Sequence, residues 1–236
     1  MPRSPTPAAG APARPQGAGR SLRRRIASFL WAVFVCAALP ACAGTLPPIR
    51  AEGLDPAMVE AARAALSCVP EPRWHRDATL TLIDYGRPST ERRLWTFALA
   101  DGRLLFHEHV AHGSGTGENH ARSFSNVPGS RQSSLGLFKT ADTYYGRNGY
   151  SLRLDGLDPG VNHLARERAI VIHGAPYVSE ETIGQLGRLG RSWGCPAVHS
   201  RVARAFIDRI AGGSYVFAYH PSESRPASCE RGRSRQ

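Results

Sequence analysis

Seven short strand-forming segments, separated by turn signals, limit what this chain can fold into. Ala78–Asp84 alternates Thr with Leu and Ile, and Arg93–Leu99 is aromatic and apolar; Asp101-Gly102 is a tight-turn pair joining the latter to Arg103–Ala111 as a hairpin. Leu135–Thr140, Tyr150–Leu154, Ala169–His173 and Ser214–Tyr219 continue the series. Helical spacing shows in Pro56–Leu66, through Met58, Ala61, Ala62, Ala65 and Leu66, and in Ser200–Ala211, with Ser200 at the cap. The expected fold is mainly β with a few helices, a β-rich α+β domain over residues 78–220 with mostly antiparallel strands and no internal repeat. Residues 112–134, rich in Gly, Ser and Asn, read as one long loop. Within it Gly113-Ser114-Gly115-Thr116-Gly117 lacks the Gly-Lys-Ser/Thr ending of a phosphate loop and is expected to be a flexible lid.

The formal charge of +11 invites a nucleic-acid reading until its placement is considered. Residues 1–42 carry six arginines and no acid, and the tail from Pro221 carries four arginines against two glutamates. The body from 43 to 220 is left near +3. The basicity belongs to the flanks, nucleic acid is excluded as the expected partner, and residues 221–236 are expected to be a basic disordered tail.

Arg23-Arg24-Arg25 precedes an apolar run from Ile26 to Ala41, too short for a comfortable membrane span and shaped like an export signal. Two cleavage readings overlap. Ala41-Cys42-Ala43 has the small-x-small form of a signal-peptidase site, while Leu39-Pro40-Ala41-Cys42 resembles a lipobox that would leave a lipid, and so an outer-membrane anchor, on Cys42. Either way residues 1–42 are a signal, 43–77 a Pro-rich linker and short helix, and the expected location is the periplasm or the periplasmic face of the outer membrane. Of five cysteines, Cys68, Cys195 and Cys229 then remain in the exported part. Cys68 and Cys229 flank the body and could form a bridge, leaving Cys195 free.

Two Gly-flanked residues carry candidate chemistry. Ala169-Ile170-Val171-Ile172-His173-Gly174 is a buried-strand pattern ending in an imidazole, and Gly190-Arg191-Ser192-Trp193-Gly194-Cys195-Pro196-Ala197 sets a lone thiol between Gly and Pro. A thiol of pKa about 8.5 needs a base or a positive field to react at neutral pH. His173 is the candidate base, Arg188 and Arg191 the nearby cations, and amides around Gly194 and Cys195 a candidate oxyanion cradle. The group holding the His173 tautomer is left open between a backbone carbonyl and Ser192.

These motifs resemble the L,D-transpeptidase (YkuD-type) catalytic domain, in particular its Gram-negative murein branch. The resemblance lies in Pro88-Ser89-Thr90-Glu91-Arg92-Arg93, Val110-Ala111-His112-Gly113, Ser123-Phe124-Ser125-Asn126, Thr143-Tyr144-Tyr145-Gly146, Gly149-Tyr150-Ser151-Leu152-Arg153-Leu154 and the block from His173 to Pro196. It implies a β sandwich or barrel in which Cys195 is the nucleophile, His173 the base and peptidoglycan stem peptides the substrate, with no cofactor or metal. Cys195 would attack after the L-centre of meso-diaminopimelate, expel D-alanine and pass the acyl group to an amine, or to water as an L,D-carboxypeptidase. The family usually has His before Gly-Cys and Arg two residues after Cys, where this chain has Trp193 and Ala197. Arg188 or Arg191 is the expected replacement for that arginine, and His112 for that imidazole; Ser125 and Asn126 join them as candidate substrate contacts.

Other readings are weighed on the same residues. His107 and His109 share a strand face and His112 follows, but no further ligand has convincing spacing for zinc. A papain-like enzyme would place Cys before His, and a sortase would follow Cys with Arg. An inactive wall-binding lipoprotein is the alternative that Trp193 favours.

Overall fold

The structure is a computed structural model and describes residues 46–69, 75 and 77–223. The signal, Cys42, Cys229 and nearly all of the basic tail lie outside the described residues. Among those described are three helices, α1 (Pro56–Ser67), α2 (Glu180–Leu186) and α3 (Ser200–Ile210), and eight strands. The strands are β1 (Thr79–Asp84), β2 (Leu94–Ala98), β3 (Leu104–Glu108), β4 (Gly136–Gly146), β5 (Gly149–Gly156), β6 (Val171–Ala175), β7 (Ala197–His199) and β8 (Tyr215–Tyr219). They form one sheet in the order β3-β2-β1-β8-β4-β5-β6-β7. All pairs are antiparallel except β1 with β8 and β6 with β7. A single antiparallel bridge, Ala111 to Ala197, ties the chain beyond β3 to β7 at the opposite end of the order, so the sheet is nearly closed.

The alternation in β1 predicts one apolar and one polar face, yet every residue of the strand is buried. Both faces are covered. Leu80 and Leu82 pack with Trp95, Phe97 and Leu137 beneath Met58, Ala62 and Leu66 of α1. Ile83 points the other way, into a core shared by Leu152, Ile172 and Val216 with Phe206, Ile207 and Ile210 of α3. Thr81 survives this burial because its hydroxyl pairs with that of Thr96 at 2.9 Å. Leu46 and Ile49, in the segment read as linker, are buried in the α1-side core.

Several boundaries differ from expectation. His199, not Ser200, caps α3, its ring nitrogen accepting from the Arg201 N–H at 3.0 Å. β4 runs six residues past Thr140, and a register irregularity between Thr140 and Thr143 breaks the alternation that would have shown it. Residues 112–134 form no named strand but are not a loose lid. The Gly113–Gly117 stretch is bridged to Ser192, and Ser114, Gly115 and Thr116 all donate backbone hydrogen bonds at 2.8–2.9 Å. Cys68 caps α1 and is disulfide-bonded; the expected pairing with Cys229 falls outside the described residues.

Candidate active site

β6 and β7 run parallel with His173 opposite Ala197, and Cys195 enters two residues before Ala197. The imidazole and the thiol are thereby hung on one pair of strands. Cys195 is the free cysteine among the described residues and is buried. Its thiol donates to the Ala169 carbonyl oxygen at 3.6 Å. Burial pushes the thiol pKa up, opposed by the N–H groups of Val171 and of Cys195 itself and by the Arg168 charge. His173 is also buried. Its Nδ1 donates to the Gly174 carbonyl at 3.0 Å, so the backbone, not Ser192, sets the tautomer. Nε2 then carries the lone pair, and among the described residues it has no hydrogen-bond partner. Burial holds the His173 pKa below its ordinary value, against the Gly174 carbonyl. At rest the thiol and the imidazole are both neutral.

Ser192 braces the turn that carries the thiol. Its hydroxyl donates to the Cys195 carbonyl at 2.6 Å and accepts the Gly194 N–H at 3.1 Å. The Gly194 amide expected in an oxyanion cradle is thus committed to Ser192, and the amides facing the sulfur are those of Val171 and Cys195. Gly194 has φ of +119°, and a Cβ there would lie 2.8 Å from the Gln132 carbonyl. Gly113 is equally confined, its virtual Cβ 2.3 Å from the Arg131 carbonyl. These close approaches let Ser133 join the two segments: its hydroxyl accepts from the Gly113 N–H and donates to the Gly194 carbonyl, both at 3.0 Å.

The expected substrate contacts are placed differently. Arg188 and Arg191 both grip Glu118, at 2.8 and 2.7 Å, and Arg191 also donates to the Gly117 carbonyl at 3.0 Å. His112 is 1% exposed, too buried to replace a substrate-facing imidazole. Its Nδ1 accepts from Arg93 at 2.8 Å and its Nε2 donates to the Gly117 carbonyl at 3.3 Å. Burial and then the Arg93 charge press its pKa down to about 4. Ser125 and Asn126 fasten the loop instead. The Ser125 carbonyl accepts from Ser134 and Arg168, while Asn126 pairs with His163 and accepts the Leu164 N–H. His107 stacks on Trp95 at 4.9 Å, and His109 Nε2 lies 3.1 Å from the Thr90 carbonyl. No group of three or more His, Cys, Asp or Glu among the described residues is arranged to hold a metal.

Arg168 is a residue of the candidate site that the sequence conceals. Its guanidinium donates to the carbonyls of Ser125 (2.6 Å) and Gln132 (2.7 Å) and to the hydroxyls of Ser130 (3.2 Å) and Ser134. It fastens the 125–134 segment and places a partly buried positive charge where the Cys195 sulfur feels it. The adjoining Ala169 has φ of +54°, one of two non-glycine residues with positive φ among those described; the other is Arg131 at +55°. Both flank the site, as stored backbone strain does in functional loops.

A backbone-oriented imidazole on β6 and a buried thiol on the turn leading into the neighbouring β7 define a cysteine–histidine site in a β-rich domain. The chain belongs to the L,D-transpeptidase catalytic domain family, a family of peptidoglycan-modifying enzymes, whose sequence profile matches residues 50–219. Among curated proteins none matches the chain. Solved structures similar to it include an L,D-transpeptidase from Mycobacterium smegmatis, with 13% identity and a TM-score of 0.38 over 60% of this chain and 58% of that one. The helical cell shape determining protein Pgp2 from Campylobacter jejuni shows 15% identity and a TM-score of 0.42 over 64% and 50%. L,D-transpeptidase 3 from Mycobacterium tuberculosis shows 11% and 0.37 over 60% and 61%. The chain spans about three-fifths of the length of the first of these.

Proposed function

We propose that the protein is an exported cysteine acyltransferase of peptidoglycan stem peptides, an L,D-transpeptidase. One observation carries the reading: His173 holds its Nδ1 proton on the Gly174 carbonyl, which leaves Nε2 as the basic nitrogen, and it stands opposite Ala197, two residues after the free thiol of Cys195. Nε2 takes the Cys195 proton as the sulfur attacks the carbonyl carbon after the L-centre of a tetrapeptide donor. The peptide C–N bond breaks, the same proton passes to the departing D-alanine amine, and a thioester remains on Cys195. An acceptor amine then attacks the thioester, giving its proton to His173, and the thiol is restored. Water in place of the amine makes the site an L,D-carboxypeptidase. The Arg23-Arg24-Arg25 and Ile26–Ala41 pattern supports export to the periplasm, either by ordinary cleavage at Ala41-Cys42-Ala43 or with a lipid on Cys42.

Incubating the purified protein with disaccharide tetrapeptide and reading products by mass spectrometry tests this. A cross-linked dimer is the expected product, and tripeptide with free D-alanine identifies the hydrolase. Cys195→Ala abolishes either reaction. His173 is depressed below 6.5, so it is neutral through the neutral range, and the acid limb of kcat/KM falls below pH 6.5. Unchanged donor, with Cys195 inert to iodoacetamide at neutral and alkaline pH, favours instead a wall-binding protein that has lost the reaction.

A further inference from the structure

With Arg188 and Arg191 held by Glu118, the place of a substrate-gripping cation falls to other residues. Trp193, two residues before the nucleophile, is 65% exposed, an unusual position for so large an apolar surface. Two guanidinium groups lie over its ring, that of Arg131 at 4.9 Å from the centroid and that of Arg147, from the tip of the β4–β5 hairpin, at 5.9 Å. Neither arginine pairs with an acid among the described residues. A cavity of about 350 Å³ opens here, lined by Gly129, Arg131, Arg168 and Trp193. Its lining contains cations and an aromatic wall but no carboxylate.

We infer that this cavity is a carboxylate-binding subsite, in which Arg131, stacked on Trp193, holds a free carboxylate of the peptide donor beside Cys195, with Arg147 over the same indole as a second cation. The inference rests on the reading of Cys195 as the acylated nucleophile of a peptide donor. A guanidinium stacked on an indole keeps its N–H donors in its own plane, free to meet a carboxylate in bidentate fashion. The site is built rather than incidental. Arg131 is held in a left-handed conformation that a non-glycine residue avoids, and its carbonyl is fixed by the Gly115 N–H at 2.9 Å. Its neighbour Ser133 is tied to Gly194, so a carboxylate held by Arg131 is referenced directly to the catalytic turn. Arg168 lines the cavity and adds a positive field, its two terminal nitrogens engaged by the 125–134 segment while its Nε has no partner among the described residues. Trp193 thus serves as a platform for two cations immediately before the Gly194–Cys195 turn.

Binding is measured on the Cys195→Ala protein, where no turnover intervenes, by titrating Trp193 fluorescence with disaccharide tetrapeptide and with the same donor carrying amidated carboxylates. Arg131→Gln and, separately, Arg147→Gln are compared with their parent; the second lies in an exposed turn and leaves the core untouched. The expected result is a Kd for the free-carboxylate donor weakened about tenfold or more by Arg131→Gln, with the amidated donor bound weakly and equally by both proteins. Arg131→Lys restores part of the affinity, since it keeps the charge and loses the fork. In the protein with Cys195 intact, Arg131→Gln raises KM far more than it lowers kcat. The inference is overturned if both substitutions leave Kd unchanged, or weaken both donors equally. If the intact protein turns over no donor while Arg131-dependent binding persists, the transferase reading fails and the subsite stands.

Discussion

Acidification should loosen this domain through one histidine, and the size of the effect can be worked out beforehand. His112 accepts a hydrogen bond from Arg93 at Nδ1, so a proton there would set an N–H against a guanidinium in a buried site. Its folded-state pKa of about 4 lies below the unfolded value of about 6.5. Between these values the unfolded chain takes a proton that the folded one refuses. The stability contribution is therefore complete above pH 6.5 and is lost as pH falls toward 4. Linkage puts the loss at about 2 kcal/mol by pH 5 and about 3 kcal/mol by pH 4. Urea unfolding of the wild type and of His112→Gln at pH 7, 5 and 4 isolates it, because other titrating groups act in both proteins. The substitution costs stability at pH 7 by removing the ring from the core, and that gap should narrow by the amounts given as pH falls. A gap that stays constant from pH 7 to 4 would refute the argument. Because the His112 carbonyl also accepts the Ser192 N–H at 3.0 Å, the catalytic turn should loosen over the same range.

Two further outcomes follow from the loop that cradles the thiol. Ser133→Ala removes a fully buried hydroxyl joining Gly113 to Gly194 and should cost about 1–3 kcal/mol in denaturant unfolding. It should also lower kcat, since the Gly194–Cys195 backbone loses its brace; unchanged kcat would separate the brace from the chemistry. Ala169→Gly relieves a left-handed alanine and should stabilise the domain by about 1 kcal/mol, or roughly 2–4 °C in Tm. A lowered Tm would show that Ala169 is not strained where it stands.

How far the sequence discloses this arrangement depends on what kind of signal each part carries. β1, β2 and β8 are short and heavily buried, so their β-branched and aromatic residues are legible to within a residue or two. β7 has three residues, too few to show a period, and that is why Cys195 reads as a turn residue when it leads into a strand paired with β6. Cys195 and His173 stand out because a thiol and an imidazole beside glycines have few structural uses. Arg168 does not, since Arg166-Glu167-Arg168 has the composition of a solvated turn. Its partial burial arises only when the distant 125–134 segment folds onto it. The same composition of Gly, Ser and Asn suits a loose lid or a loop pinned by hydrogen bonds, and only the partners, Ser192, Arg168 and Gln132 among them, distinguish the two. The arginines beside the thiol were legible as cations but not as cations already answered by Glu118.

The placement of β8 also governs how the chain can mature. The last strand lies inside the sheet, parallel to β1 on one side and antiparallel to β4 on the other, with Leu80 opposite Tyr215 and Gly136 opposite Ala218. No shorter piece ending before residue 214 can join β1 to β4. Partners so far apart in sequence close late and slowly. The two halves of the sheet must therefore wait for the C-terminal segment, because without β8 the half that carries β6 and β7 has no link through β4 to β1. Completeness of the polypeptide thus becomes a condition for joining the two halves of the sheet.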